Sequence, residues 1–238
     1  MFITDIVSSL NISGYYLAII EIFIFYLIAK YLKIKNRNLY GINNVVYYWL
    51  MFTSLTAIWE ACFIYNYKDV YNIAEDLKIN KKHIWTNKYD IINLLPWNFS
   101  YLFYAEYAAF ADREYMSFAE DWSRIIEGTH LIFCGIFAMF SISYKIINLN
   151  DHYLITMSVS MGTQLMNSIL YISNYICQIN NPSSINYNTN NFPTGLLLSK
   201  RPFFWINALW TIMPFYIILY TIINQKNDTI YEKNLLKK

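Results

Sequence analysis

Five stretches of this chain are apolar for long enough to cross a bilayer, near residues 15–33, 45–67, 124–146, 153–178 and 203–224. About 20 apolar residues in helical form cover the hydrocarbon core. Between the second and third lies a longer stretch, 68–123, which opens polar and then turns aromatic around Pro96 and Glu106. Tyr and Trp favour the head-group level of a membrane, so this stretch is read as an interfacial helix and cap and not as a sixth span. Residues 179–195 are rich in Asn, Ser and Pro and read as a loop, and 225–238 as a polar tail. The pattern predicts an all-α polytopic membrane protein, a single domain of five transmembrane helices enclosing an intramembrane ligand cavity. The first stretch has no basic leader and no small-residue cleavage site, so it is expected to be a retained helix. No internal repeat is visible, which disfavours an inverted-repeat transporter.

The polar positions inside these apolar runs carry the most information. Glu60 lies within 45–67, and Glu127 and His130 lie within 124–146. An ionisable side chain at membrane depth costs roughly 2.5–3.5 kcal/mol on insertion scales, so helices keep one only where it faces protein or a wet cavity. Sliding one helix toward the interface explains one such glutamate but not both. Helical spacing then sorts the polar groups onto faces. Thr53, Thr56 and Glu60 share one face, as do Glu127, His130 and Cys134, with Gly128 and Gly135 permitting close helix approach. Gln164, Ser168 and Tyr171 line up on the fourth run beside Asn167, and Asn207, Trp210 and Pro214 on the fifth. Four such stripes can enclose one site walled by Trp, Tyr, Phe and Met, a shape suited to a flat hydrophobic ligand.

Composition supports the membrane reading: 56% of residues are hydrophobic and 14% are charged, against roughly 25% charged in an ordinary soluble domain. The net charge of +2 is spread without a basic stripe, which excludes a nucleic-acid partner. Cys62, Cys134 and Cys177 lack paired spacing and read as packing residues. Lys33, Lys35 and Arg37 crowd the first connection, no acid stands between Glu21 and Glu60, and further lysines follow the last run. The positive-inside rule then places the first loop and the C-terminus in the cytosol and the N-terminus on the far side, with Lys200 and Arg201 against the trend.

Two carboxylates and an imidazole, with no hydrolase, metalloprotease or nucleotide motif nearby, are equipped for proton transfer. One group donates while another accepts, which is what moving a double bond requires. A carbocation on that path needs an electron-rich wall, for which Trp210 and Trp59 are candidates. Blander roles stand beside these: His130 as an interhelical hydrogen-bonding residue, Asn207 as a helix pin, Trp210 as packing, Glu21 as structural or interfacial, and His83 and His152 as solvated.

Four segments together resemble the emopamil-binding protein family, the sterol Δ8–Δ7 isomerases of the wider EXPERA group. They are TAIWEACFIYNY (56–67), the run from EYAAFADREY (106–115) into IIEGTHLIFCG (125–135), VSMGTQLMNSILY (159–171), and FFWINALWTIMP (203–214). The likeness spans roughly residues 15–225, and only the joint order of these short motifs makes it specific. It departs from the family in four places. The family's second-helix histidine is Thr56 here, and its third-helix threonine is His130. The family's Asp-x-Arg-Tyr arginine is displaced to Arg113, beside Asp112, and Thr163 is inserted after Gly162. The exchange predicts an imidazole that reaches the same cavity from the opposite wall.

The resemblance implies an endoplasmic reticulum membrane isomerase that needs no cofactor, because the reaction is redox-neutral. Glu60, Glu127 and His130 would handle protons, with Thr56 as a hydrogen-bonding partner. Trp210 would stabilise the cation, Asn207 would orient a carboxylate, and Asp112 and Tyr115 would cap the cavity mouth. Gln164 and Tyr171 would contact the substrate. A sterol substrate, hydrophobic amine ligands, the lipid bilayer and a homodimer are the implied partners. The alternative is a non-catalytic sterol- or amine-binding relative; a proton-coupled carrier is the rival from another class.

Overall fold

The architecture comes from a computed structural model that describes residues 11–112, 122–179, 181–183 and 202–235, with side chains described except at 178–179 and 225–235. Among them, helix dominates. The order is β1 (Asn11–Ser13), α1 (Gly14–Lys35), α2 (Asn44–Tyr65), α3 (Tyr67–Asn80), β2 (Lys88–Asp90), α4 (Pro96–Glu106), α5 (Trp122–Ile146), α6 (Asn150–Ile179) and α7 (Pro202–Leu235). Local chemistry sets several boundaries. The Asn43 side chain accepts the Val45 N–H at 2.8 Å and caps α2. Pro96 opens α4, where its missing N–H costs nothing. Lys81 and Asn148 take positive φ values, 50° and 63°, to close α3 and to turn α5 into α6.

Among the described residues, two helices are long and apolar enough to cross a membrane, Trp122–Ile146 with 25 residues and Pro202–Asn224 with 23. The other three expected spans form helices near the expected bounds, and α1 carries Glu21, Lys30, Lys33 and Lys35. Helix α7 continues to Leu235, so much of the expected polar tail is helical. Lys33 is no free loop cation: it is buried, and its Nζ donates to the Ile42 carbonyl at 3.1 Å and to Asn44 Oδ1 at 2.8 Å.

Within the 68–123 stretch, α4 packs against α2 and α3, with Phe99, Ser100 and Ala105 shielded from solvent. The expected all-α fold also gains a two-stranded antiparallel ladder, in which Ile12 pairs with Tyr89. That ladder anchors the start of α1: Gly14 and Tyr15 donate their N–H groups to the carbonyls of Asn87 and Trp85 at 3.0 and 3.2 Å. A Cβ at Gly14 would overlap the Ile84 carbonyl, so only glycine fits there. His83, expected to be solvated, is exposed, and its Nδ1 also lies 2.6 Å from Glu106 Oε1, while Glu106 Oε2 accepts the Ile84 N–H at 3.0 Å.

Helices α2 and α5 meet at bare contact. A Cβ at Gly135 would overlap that of Ala57 and stand 3.3 Å from the Ala57 Cα, whereas Gly128 has only Ile64 Cδ1 nearby, at 3.8 Å. Of the two glycines expected to admit a helix, Gly135 is the one in tight contact. Gly135→Ala is therefore expected to cost about 1–3 kcal/mol, as overpacking does, and Ala57→Gly in the same chain should recover most of it. Thermal unfolding of the single and double variants in detergent checks this.

Candidate functional site

The four polar stripes converge on a cavity of about 320 Å³ bounded by α1, α2, α4, α5, α6 and α7. Glu60, Thr56, Glu127, His130, Asn207, Trp210 and Tyr171 all line it. Its walls are rich in aromatic side chains, Trp59, Phe52, Phe103, Tyr104 and Tyr107 among them. Such a volume falls in the range of roughly 300–1,000 Å³ typical of small-molecule sites.

Two segments of wider, π-type helix border this space, Tyr107–Ala111 after α4 and His130–Ile136 within α5. The first is closed by the Asp112 N–H donating to the Tyr107 carbonyl at 2.8 Å. The second begins at His130. Such bulges re-aim side chains and recur at functional sites.

His130 Nδ1 stands 2.6 Å from Glu60 Oε1, with the Glu60 side chain 4% exposed and that of His130 12%. The oxygen sits off the ring N–H axis, so the two groups are in close polar contact with weak directionality. Glu60 Oε2 is buried without a hydrogen-bond partner. The imidazole thus approaches Glu60 from the α5 wall, while Thr56, one turn earlier on α2, turns its hydroxyl to the Thr53 carbonyl at 3.0 Å. Glu127 accepts the Tyr104 O–H at 3.1 Å through Oε2. Trp210 and His130 meet in a T-shaped contact with ring centroids 5.5 Å apart, and Trp210 stacks on Phe52.

Other expected residues sit differently. Gln164 is fully buried behind His130, outside the cavity lining, so it does not touch the space where a substrate would lie. Asp112 is likewise buried behind the wall, where its Oδ2 accepts the Tyr171 O–H. Asn207 directs its amide to the Phe203 carbonyl at 3.0 Å and toward the Tyr107 hydroxyl at 3.4 Å; neither bond orients a carboxylate. Arg113 and Tyr115 lie outside the described residues, as do residues 184–195 of the Asn-rich loop and, beyond it, Lys200 and Arg201.

Sequence reasoning missed two lining residues, Tyr104 and Tyr107, and read Glu21, which is not among the lining, as structural or interfacial. Glu21 is buried, and its Oε1 accepts the Trp59 indole N–H at 2.8 Å, leaving Oε2 buried and unpartnered. Its mid-run position was the signal, by the same cost argument that singled out Glu60. Tyr104 and Tyr107 were hidden in the stretch read as interfacial, although their three-residue spacing places both on one helix face. No family model, no curated protein and no solved structure matches the chain.

Removing one member of a buried polar pair strands the other. His130→Ala is expected to destabilise the fold by about 3 kcal/mol, and adding Glu60→Gln should recover a large part of that loss. Thermal melts of the two single variants and the double variant read the coupling.

Proposed function

We propose that this protein is a membrane isomerase that moves a sterol ring double bond from Δ8 to Δ7. The observation that carries the reading is the meeting of Glu60 and His130 at 2.6 Å in an aromatic-walled cavity that also holds Glu127. In this reading α1, α2, α5, α6 and α7 span the endoplasmic reticulum membrane, with the N-terminus lumenal and the C-terminus cytosolic. The large apolar side chains exposed along α1 and α7 then face lipid.

The reaction needs a proton delivered to one carbon of the ring alkene, which leaves a cation on the other. A proton is then lost from the carbon beyond, and its C–H electron pair becomes the new double bond. Nothing is oxidised or reduced. Glu60, Glu127 and His130 are the groups able to give and take these protons. Trp59 and Trp210 face the same space, and their π-clouds would stabilise the cation. A cavity fitted to such a cation would also hold a hydrophobic amine.

A second reading, a non-catalytic sterol- or amine-binding protein, is favoured by one observation: Thr56 occupies the position where the resembled isomerases carry histidine. The test is the sterol profile of a yeast strain lacking its own Δ8–Δ7 isomerase. Expression of this protein should convert Δ8 to Δ7 sterols, and Glu127→Gln and His130→Ala should each lower conversion by at least about 100-fold, the scale of lost acid–base catalysis. No conversion by a well-expressed parent that still binds tertiary amines would establish the binding protein instead.

A further inference from the structure

We infer that Gln164, oriented by Trp49, locks His130 in the tautomer that carries its proton on Nδ1, on the side of Glu60. The four groups form one line across α2, α6 and α5. The Trp49 indole Nε1 lies 2.8 Å from Gln164 Oε1, Gln164 Nε2 lies 3.0 Å from His130 Nε2, and His130 Nδ1 lies 2.6 Å from Glu60 Oε1.

The chemistry of the donors fixes every proton on this line. An indole nitrogen only donates, so the amide atom facing Trp49 is the oxygen. The amide nitrogen then faces His130, and it too only donates. One of its protons points to His130 Nε2 and the other toward Thr53 Oγ1, 3.4 Å away. His130 Nε2 must therefore present a lone pair, and the ring proton resides on Nδ1. Reversing the amide would set its NH2 group against the indole N–H at 2.8 Å. A proton on His130 Nε2 would meet the amide N–H at 3.0 Å. Gln164 and Thr53 are fully buried and Trp49 nearly so, so water has no room to relieve either clash.

Gln164 and Trp49 are thus positioning residues: neither lines the cavity, and both act through His130. If the isomerase reading holds, the lock sets a fixed N–H beside Glu60 Oε1. His130 then orients and holds the Glu60 charge, and its Nε2 takes no part in proton transfer. The catalytic consequence rests on that reading; the tautomer does not.

The test is ¹⁵N nuclear magnetic resonance of the full chain in lipid nanodiscs with labelled histidine. The chain has 3 histidines, and a His130→Gln sample assigns the signal. The parent should show a neutral His130 with a proton on Nδ1 and a bare Nε2. Gln164→Glu, which sets an acceptor opposite Nε2, should protonate that nitrogen. Trp49→Phe, which frees the amide to turn over, should give a mixture. A parent signal with its proton on Nε2, or a bare Nε2 retained in Gln164→Glu, would overturn the lock. The parent spectrum decides even if a variant fails to fold. In the sterol assay both variants should lose about tenfold or more in conversion, as outer-shell changes do, with tertiary-amine affinity unchanged. Expected spectra from a parent that makes no Δ7 sterol would leave the lock standing and remove the isomerase.

Discussion

Most of this architecture follows from the cost of keeping ionisable groups out of water. Glu21, Glu60 and Glu106 are each buried, and each has been given a polar partner drawn from another part of the chain. Trp59 serves Glu21, His130 serves Glu60, and the His83–Ile84 turn serves Glu106. A helix cannot supply such partners to itself, because its own N–H groups are already committed to the carbonyls four residues back. Each carboxylate therefore acts as a long-range constraint. Glu21 ties α1 to α2, Glu60 ties α2 to α5, and Glu106 ties α4 to the loop that holds the start of α1. Apolar packing is non-directional. These contacts specify which helix faces which.

The same logic explains what could be read from the sequence. Glu60, Glu127 and His130 stood out because a polar group in an apolar run is improbable unless something holds it, and the helical period placed their neighbours correctly. The stripes Thr53–Thr56–Glu60 and Gln164–Ser168–Tyr171 were legible because they depend only on spacing within one helix. Their partners were not. Which residue fills the gap between two stripes depends on crossing angle and depth, and no single segment encodes either. Gln164 illustrates the limit: its face was right, yet the helix sits deep enough that the amide reaches His130 and not the cavity. Tyr104 and Tyr107 were lost for a different reason. Aromatic residues are at home at an interface and in a core, so composition alone cannot choose, and the burial of α4 is decided by tertiary packing. The β1–β2 ladder, three residues on each side, is too short to leave a periodic signal.

Packing and chemistry also share their closest contact. Gly135 and His130 belong to one π-type segment of α5, and Ala57 and Glu60 belong to one turn of α2. The point where the two backbones touch is thus about one turn from the point where the imidazole meets the carboxylate. A side chain at Gly135 would act as a wedge, and the displacement it forces would be felt directly in the 2.6 Å separation of His130 from Glu60. The Ser160 hydroxyl donating to the Cys134 carbonyl at 2.7 Å fastens the same segment from the α6 side. The π-type winding matters here as well. It rotates His130 relative to Gly135 away from ordinary helical register, so the small residue can face Ala57 while the imidazole reaches Glu60. A regular helix would have to give up one contact to make the other. The geometry of the pair is therefore a property of the helix crossing as much as of the two side chains, which is why a histidine on α5 can face a carboxylate that in the resembled isomerases has its histidine on the same helix.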